Sequence, residues 1–193
     1  MNRAIVVVDG NNLHEGLWAC FRIRRLDLEK FCSRIVQWRT LQAIYYADSN
    51  YIQYPQTNRY REQQDYFAYL RGVQNVMFRE GYYRMRRGVP QEKLVDVYLA
   101  VDLVDLCHQN AFDTVYVISG DADLTPAVNV VKGRGKRVIN VYLEERFTRA
   151  GVQIERKSLL KPNCHAFLRI TQAVAKKFEW VPTPSHRFGV AKK

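Results

Sequence analysis

Three aspartates follow runs of apolar residues that have the length of buried strands. Asp9 comes directly after the run 4–8, and Asp121 and Asp123 come shortly after the β-branched segment 115–119. An aspartate in this position is often only a turn former or a helix N-cap. Two strands that are distant in sequence can also deliver their carboxylates to one edge of a sheet. The spacing therefore predicts either two separate turns or one acidic site.

A fourth aspartate, Asp96, lies in an apolar segment with helical periodicity. At about 100° per residue it shares one side of that helix with the apolar residues Leu99, Ala100, Leu103 and Cys107. An unpaired carboxylate on such a face is costly, so it must be protonated, hydrogen-bonded, paired with a cation or bound to a metal. Lys93, one helical turn earlier, is the competing partner.

Carboxylates that crowd together repel one another unless a divalent cation neutralises them, and hard oxygen ligands suit Mg²⁺ or Mn²⁺. Such an ion can lower the pKa of an attacking water and stabilise the charge on a phosphodiester in its transition state. The sequence has no histidine close to these acids, no G-x-S-x-G and no G-x-x-x-x-G-K-[ST] run. The chemistry indicated is hydrolysis by metal-activated water.

The net charge points to a polyanionic partner. Thirty Lys and Arg against nineteen Asp and Glu give a formal charge of +11, which attracts nucleic acid or merely keeps a protein soluble. Basic and aromatic residues interleave in 58–61 and 82–87, and such segments offer cations for phosphates and rings for unpaired bases. The predicted RNA-binding residues are Arg59, Arg61, Tyr83, Arg84, Arg86, Arg87 and Lys93. The alternative is a solvated face with extended Arg side chains.

These residues must be positioned by alternating strands and helices. The predicted strands are 4–8, 41–47, 76–86, 114–119 and 137–143. The predicted helices begin near 12 and at 27, the second burying Trp38, and continue with 58–73, 91–109 and 125–132. This alternation predicts a mainly parallel sheet covered on both faces, with ligands beyond the carboxyl ends of its strands.

The remaining features describe the class of protein. The 193 residues suit one domain, and no apolar run is long enough to span a membrane. The amino terminus runs directly into a strand, so we expect a cytoplasmic protein. The four cysteines lack metal or disulfide spacing and are expected to be reduced. We expect a domain over 1–170, with an amphipathic stretch and basic tail over 171–193. A homo-oligomer is left open.

Three segments together resemble the NYN domain family of PIN-like nucleases, especially its LabA-like branch. They are Val-Val-Asp9-Gly-Asn-Asn, Lys93-Leu-Val-Asp96 continuing to Asp102, and Ser119-Gly-Asp-Ala-Asp123-Leu-Thr-Pro. Each motif alone is weak, but three in this order make a specific signal. The resemblance covers about residues 3–170.

The resemblance implies a PIN-like three-layer α/β sandwich, with a mainly parallel central sheet flanked by helices, and metal-dependent cleavage of RNA. It implies that Asp9, Asp96, Asp121 and Asp123 are the catalytic and metal-binding acids. It further assigns supporting roles around them to Asn11, Asn12, Ser119, Thr125 and Asp102. The expected substrate is RNA, single-stranded or partly unpaired, cut endonucleolytically.

The sequence departs from the family pattern at two places. Leu94 stands where the family commonly has glycine, and Ala122-Asp123-Leu124 stands where Ser-Asp-Phe is frequent. Both changes spare every carboxylate, so they concern substrate fit more than metal binding.

Two other functions are consistent with the same residues. One is a noncatalytic RNA-binding or scaffold module that keeps the fold. The other takes Asp121-Ala-Asp123-Leu-Thr125 as the D-x-D-x-T motif of haloacid dehalogenase-like phosphatases, with Asp121 as nucleophile. That motif normally opens its domain, whereas here only about 70 residues follow it.

Overall fold

The computed structural model describes residues 2–51, 57–143, 145–149 and 152–182. Its strands are β1 (Arg3–Asp9), β2 (Thr40–Ser49), β3 (Val76–Arg86), β4 (Val89–Lys93), β5 (Thr114–Ile118), β6 (Arg137–Tyr142), β7 (Glu145–Arg149), β8 (Val152–Arg156) and β9 (Ala166–Arg169). Its helices are α1 (Gly10–Phe21), α2 (Leu28–Ile35), α3 (Thr57–Gly72), α4 (Val95–His108), α5 (Thr125–Gly133) and α6 (Gln172–Lys177).

Seven strands form one sheet in the order β4-β3-β2-β1-β5-β6-β9. All neighbouring pairs are parallel except β3 and β4. The chain builds one half of the sheet outward from β1 and then returns to place β5 on the other side of β1. The point between β1 and β5 is therefore the topological switch point, where ligands bind in open α/β sheets.

Helices cover both faces of the sheet because successive side chains of a strand point to opposite faces. From β1, Ala4, Val6 and Val8 face a core shared with α1, α2, α3 and α6. Ile5 and Val7 face a second core shared with α4 and α5. This continuous burial explains the uninterrupted apolar run of β1 and confirms the predicted three-layer α/β architecture.

The segment before α4 differs from the prediction. Residues 91–93 were expected at the start of a helix from 91 to 109, but they belong to β4 (Val89–Lys93), which pairs antiparallel with β3. Arg87 and Gly88 both have positive φ, 51° and 76°, as a two-residue hairpin turn of the favoured twist requires. Pro90 is tolerated because β4 is an edge strand.

Trp38 is also placed differently from the prediction. Helix α2 ends at Ile35, and Trp38 is 70% exposed in the turn that follows. Its ring lies 4.3 Å from the guanidinium carbon of Arg39. The helical periodicity continued past the true end of the helix, so the predicted burial of Trp38 is wrong.

The chain after β9 packs back onto the first core. Trp180 contacts the rings of Tyr66 and Tyr69, and Phe178 contacts Phe31. The predicted amphipathic stretch contains α6, while the basic tail over 183–193 lies outside the described residues. Among the helices that the structure describes, none is both long and apolar enough to cross a membrane.

Candidate functional site

Asp9 and the loop that carries Asp121 and Asp123 both lie at the switch point. In the parallel pairing of β1 and β5, Val8 lies beside Ile118, so Asp9 at the end of β1 and the loop after β5 leave the sheet at the same edge. Asp121 caps a short 3-10 helix, Ala122–Leu124, that contains Asp123. Asp9 and Asp121 are therefore helix N-caps, as the turn-forming explanation predicts, and they also lie at the same edge of the sheet, as an acidic site requires.

Helix α4 brings Asp96 to the same place. It begins at Val95, so Asp96 lies in its first turn. One carboxylate oxygen each of Asp96, Asp121 and Asp123 lies within 4.8 Å of those of the other two. We call these three residues the aspartate cluster. The structure thus joins Asp96 to two aspartates that lie 25 and 27 positions further along the sequence.

The chemistry of the aspartate cluster fits a divalent cation. Burial raises the pKa of Asp96, and the charges of Asp121 and Asp123 raise it further. Among the ion pairs between described residues, none involves these three acids. Opposite ligands of Mg²⁺ lie about 4 Å apart, so small side-chain adjustments would bring all three oxygens to one ion.

Lys93 does not fill the place of the cation. It was the competing partner for Asp96 because both were predicted on one helix. The structure puts Lys93 in the exposed edge strand β4, before the helix begins. The two residues are therefore not one turn apart on the same helix, as the predicted ion pair required.

Asp9 lies beside the aspartate cluster and is buried. Its Oδ1 accepts a hydrogen bond from the backbone N–H of Asn12 (3.0 Å), and its Oδ2 accepts one from the Ser119 hydroxyl (3.0 Å). Burial raises the pKa of Asp9 to about 8; these two bonds oppose the rise, and the charges of Asp96 and Glu92 add to it. Asp9 is the N-cap of α1 and a neighbour of the cluster at the same time.

Ser119 and Asn12 tie the loop after β5 to β1. The Ser119 Oγ accepts from the backbone N–H of Asp121 (3.1 Å) while it donates to Asp9. The Asn12 Oδ1 accepts from the N–H of Gly120 (3.3 Å), and the Asp121 Oδ1 accepts from the N–H of Asp123 (2.9 Å). These bonds give Ser119 and Asn12 the contacts expected of residues that orient the acids.

Two glycines let the chain approach closely at this edge. A Cβ on Gly10 would lie 2.3 Å from the hydroxyl of Tyr46, and one on Gly120 would lie 2.4 Å from the ring of Tyr142. Both tyrosines are buried and cannot move aside at low cost. Glycine is therefore required after each of the two strands that lead into the site.

Glu92 is an acidic neighbour that sequence reasoning missed. Its Oε2 accepts from the Asn11 side-chain amide (3.2 Å), and its Oε1 is buried. Burial raises the pKa of Glu92, and the charges of Asp48 and Asp96 add to the rise. The residue was overlooked because 91–93 was predicted as helix, whereas the β3–β4 hairpin turns Glu92 toward Asn11.

Two residues with predicted supporting roles have other partners. Asp102 accepts two hydrogen bonds from the Arg79 guanidinium (3.0 and 3.3 Å), and the Thr125 hydroxyl accepts one from the Asn163 amide (3.4 Å). Among the described residues, no hydrogen bond or ion pair joins Asp102 to the aspartate cluster. A role of Asp102 in holding α4 against β3 accounts for its burial.

The predicted RNA-binding residues lie on two elements. Arg59 and Arg61 are exposed on α3, and the others lie on or next to the β3–β4 hairpin. Tyr83 is half-buried, whereas the four cations of the hairpin are exposed, namely Arg84, Arg86, Arg87 and Lys93. Their binding of RNA stays a prediction.

A further basic patch, Lys132 to Arg137, lies at the end of α5 and the start of β6, at the opposite edge of the sheet.

Comparisons with known proteins agree with this geometry. The chain is 32% identical over 98 residues to an uncharacterised protein of Methanocaldococcus jannaschii, a match that covers 44% of this chain and 41% of that protein. The fold is similar to the crystal structure of a protein of unknown function from Vibrio parahaemolyticus, with a TM-score of 0.63 and 21% identity, over 88% of this chain and 93% of that one. The model of the NYN domain matches residues 3–157, and the chain therefore belongs to the NYN domain family of PIN-like, nuclease-type domains.

Proposed function

We propose that this protein is a metal-dependent ribonuclease that hydrolyses RNA phosphodiesters at the aspartate cluster. The observation that carries the proposal is the convergence of Asp96, Asp121 and Asp123 within 4.8 Å at the switch point of a NYN domain. Three carboxylates without a described cationic partner are costly to keep together unless a cation binds them. A phosphate backbone is the substrate class that both the cation and the basic surface attract.

Asp96, Asp121 and Asp123 would hold the ion, Mg²⁺ or Mn²⁺, and Asp9 is the proposed fourth ligand. When bound, such an ion supplies a water of lowered pKa and compensates negative charge that develops on a phosphodiester. Each oxygen of Asp9 already accepts one hydrogen bond, and each keeps a lone pair for a further partner. Ser119 and Asn12 keep the acids in place before any substrate arrives.

Exposed arginines near the site would bind the phosphates of the RNA strand. The β3–β4 hairpin and the start of α3 carry the exposed arginines Arg84, Arg86, Arg87, Arg59 and Arg61. Tyr83 offers a ring for an unpaired base beside these cations. We infer that the substrate is single-stranded or partly unpaired RNA and that cleavage is endonucleolytic.

The direct test is cleavage of an internally labelled, partly unpaired RNA by purified protein with Mg²⁺, Mn²⁺ or EDTA. We expect internal cuts with either metal, none in EDTA, and a loss of about 100-fold or more in Asp121→Asn. Asp105→Asn is the matched control, because Asp105 is exposed on α4 and bonded only to Gln109 among described side chains.

Two results would contradict the proposal. RNA binding by the wild-type protein without cleavage under any metal would assign the chain to a noncatalytic RNA-binding module. Rapid hydrolysis of a small phosphate monoester, with RNA left intact, would favour the phosphatase alternative with Asp121 as nucleophile. In either case the aspartate cluster would need another explanation.

A further inference from the structure

A cavity of about 770 Å³ is lined by residues of α1 and by Arg156, which is hydrogen-bonded to the backbone of Asn12. It is bounded by the outer face of α1 and the loop that follows it, the first turns of α3, and the β3–β4 hairpin. Its volume is within the roughly 300 to 1,000 Å³ of small-ligand sites. The residues predicted from sequence to bind RNA include only two of its lining residues, Arg59 and Tyr83.

The cavity offers aromatic surface for stacking. Trp18 is 37% exposed, and the guanidinium carbons of Arg22 and Arg24 lie 5.4 and 5.1 Å from its ring centroid. The ring of Tyr51 meets His14 edge to face at 6.1 Å. Planar rings backed by guanidinium groups are the surfaces on which unpaired bases stack.

The charges of the cavity are mixed rather than uniformly positive. Arg24 is paired with Glu62, and Arg25 with Asp48. Among the ion pairs between described residues, Arg22, Arg59 and Arg156 do not occur. Three arginines suit one or two phosphates, while the nearby acids Glu15 and Asp65 disfavour a long row of them.

His14 adds a hydrogen-bond acceptor. Its Nδ1 is 2.6 Å from the backbone carbonyl oxygen of Arg24, and because a carbonyl can only accept, the ring proton must lie on Nδ1. Burial lowers the pKa of His14 to about 3, and the charge of Arg25 lowers it further. The ring is therefore neutral at physiological pH, and Nε2 is an acceptor suited to the amino or imino group of a base.

Arg156 connects the cavity to the aspartate cluster. Its Nη2 donates to the backbone carbonyl of Asn12 (3.1 Å), the residue whose side chain holds Gly120. Its guanidinium carbon lies 5.4 Å from the centroid of the Tyr142 ring, and its Nε is buried. Helix α1 makes the second connection, since Asp9 is its N-cap and it carries His14 and Trp18 about one and a half and two and a half turns further on.

We propose that this cavity binds one unpaired nucleotide of the RNA strand, with its base against Trp18 and His14 and its phosphate at Arg156 and Arg22. The proposal rests on the proposed ribonuclease function, because it names the part of the substrate next to the scissile phosphodiester. In this arrangement, helix α1 fixes the distance between the bound base and the acids. Double-stranded RNA is excluded because its bases are already paired and stacked.

The test is the affinity of Asp121→Asn protein for a short, labelled single-stranded RNA in EDTA, where no cleavage occurs. We expect Trp18→Ala to weaken binding about 10-fold and Trp18→Phe to retain most of the affinity. Trp38→Ala is the matched control: Trp38 is also exposed and also packed on an arginine, but it lies just before β2, at the opposite edge of the sheet. It should change the affinity less than about twofold.

Competitors identify the ligand class. A nucleoside monophosphate should displace the strand weakly and only from protein with an intact Trp18, whereas a duplex of the same sequence should not displace it. Equal RNA affinities of Trp18→Ala and Trp38→Ala would overturn the proposal, provided that thermal denaturation shows both variants to be folded. Displacement by polyglutamate as effective as by RNA would also overturn it, because the site would then be a general polyanion surface.

Failure of this inference and failure of the proposed function give different results. If wild-type protein cleaves RNA with metal but Trp18→Ala binds and cleaves normally, the cavity assignment is wrong and the nuclease stands. If binding depends on Trp18 while no variant or metal gives cleavage, the cavity assignment stands and the nuclease is wrong.

Discussion

Asp9 is a buried carboxylate at the end of a fully buried strand, and its environment favours the protonated form. Desolvation is the main cause, and the neighbouring charges of Asp96 and Glu92 act in the same direction. The hydrogen bonds from Asn12 and Ser119 offset only part of this cost. A residue in this state stabilises the metal-free protein in acid and loses that contribution as it ionises.

The first prediction is that the stability of the metal-free protein falls as pH rises. The pKa of Asp9 is about 8 in the folded protein against 3.8 as the ordinary value, so the folded state binds more protons between these values. The free energy of unfolding, relative to Asp9→Asn, should fall through this window with a slope approaching about 1.4 kcal/mol per pH unit. Urea denaturation in EDTA from pH 5 to 8 measures it. Parallel curves for wild type and Asp9→Asn would refute the assignment.

The shared position of Asp9, Asp121 and Asp123 could be predicted from sequence because a simple rule places them, whereas Asp96 was singled out by its place on the apolar face of a helix. Parallel strands end at one edge, and the aspartates that follow β1 and β5 share it. The residues of the cavity could not be predicted in this way. His14 and Trp18 look like ordinary helix positions, and Arg156 lies in a separate hairpin of β7 and β8, so only the tertiary structure shows that they meet.

At the scale of elements, the start of α4 decides where Asp96 lies. Leu94 is the N-cap of this helix and has φ of 78°, in the left-handed region. Its side chain makes no capping hydrogen bond. The glycine common in the family at this place is the residue that adopts this conformation without steric cost, so the departure noted in the sequence is a site of backbone strain.

The second prediction compares two substitutions of Leu94. Both Leu94→Ala and Leu94→Gly remove the partly exposed side chain, but only glycine relieves the strained φ. We expect the glycine variant to be the more stable by about 1 kcal/mol, opposite to the usual order at a helix position. Thermal or urea denaturation of the pair decides it. An alanine variant as stable as the glycine variant would show that Leu94 is not strained.

A second element-scale feature is the buried pair at the end of β2. The Asp48 Oδ2 accepts from the Tyr46 hydroxyl (2.9 Å) and from Arg25 (3.3 Å), and Asp48 Oδ1 accepts from the N–H of Ser49 (2.8 Å). The Arg25 guanidinium also lies over the ring of Tyr66 at 5.1 Å. Asp48 is thus a strand-end aspartate whose charge is neutralised inside the protein, in contrast to the aspartate cluster.

The third prediction follows from this contrast. Asp48→Asn leaves the Arg25 charge buried without its partner, so we expect the free energy of unfolding to fall by about 3 kcal/mol or more. Asp121→Asn should instead leave the stability of the metal-free protein unchanged or raise it, since it relieves repulsion within the cluster. Urea denaturation of both variants in EDTA tests the difference, and similar losses in the two would contradict it.

The type of an element could be predicted where its hydrophobic periodicity was strong. Its boundaries could not be predicted where the sequence carries only a weak turn signal. Strand β3 and helix α5 begin at the expected residues. The hairpin between β3 and β4 was missed because Arg87-Gly88 is a poorer turn signal than Asn-Gly or Asp-Gly. Helix α2 was extended too far because nothing in the sequence between Ile35 and Trp38 breaks a helical pattern.

At the scale of the whole molecule, positive charge occurs on the β3–β4 hairpin and also near the amino ends of the strands. The aspartate cluster lies at the carboxyl ends of the strands. The hairpin arginines lie on β3 and in the turn before β4, and β4 leads directly into α4, whose first turn carries Asp96. The patch that contains Arg134 and Arg137 lies where α5 ends and β6 begins. The formal charge of +11 therefore does not by itself locate the RNA, although composition did indicate a polyanionic partner.

The fourth prediction separates the two basic surfaces. Arg84→Gln with Arg86→Gln should weaken binding of single-stranded RNA and flatten its salt dependence, because each lost phosphate contact removes about 0.7 from the slope of log K against log salt. Arg134→Gln with Arg137→Gln changes the net charge equally and should leave that slope unchanged. Affinities measured from 50 to 300 mM salt give both slopes, and equal effects of the two double variants would place the RNA elsewhere.

The order of the strands could be anticipated only in part. The alternation of elements indicated a parallel sheet, and the sheet confirms it. The positions of β9 and α6 depend on contacts that no local pattern encodes, such as the pairing of β9 with β6 and the packing of Trp180 on Tyr66.

The central claim is that a cation held by the aspartate cluster acts on an RNA phosphodiester. The measurement that tests it most directly is cleavage of RNA carrying one phosphorothioate of defined stereochemistry at the cleaved position. In one diastereomer we expect sulfur to slow cleavage at least about 10-fold with Mg²⁺, a hard ion, and Mn²⁺ to restore most of the rate. Equal effects of sulfur with both metals, or cleavage that persists in EDTA, would contradict the account.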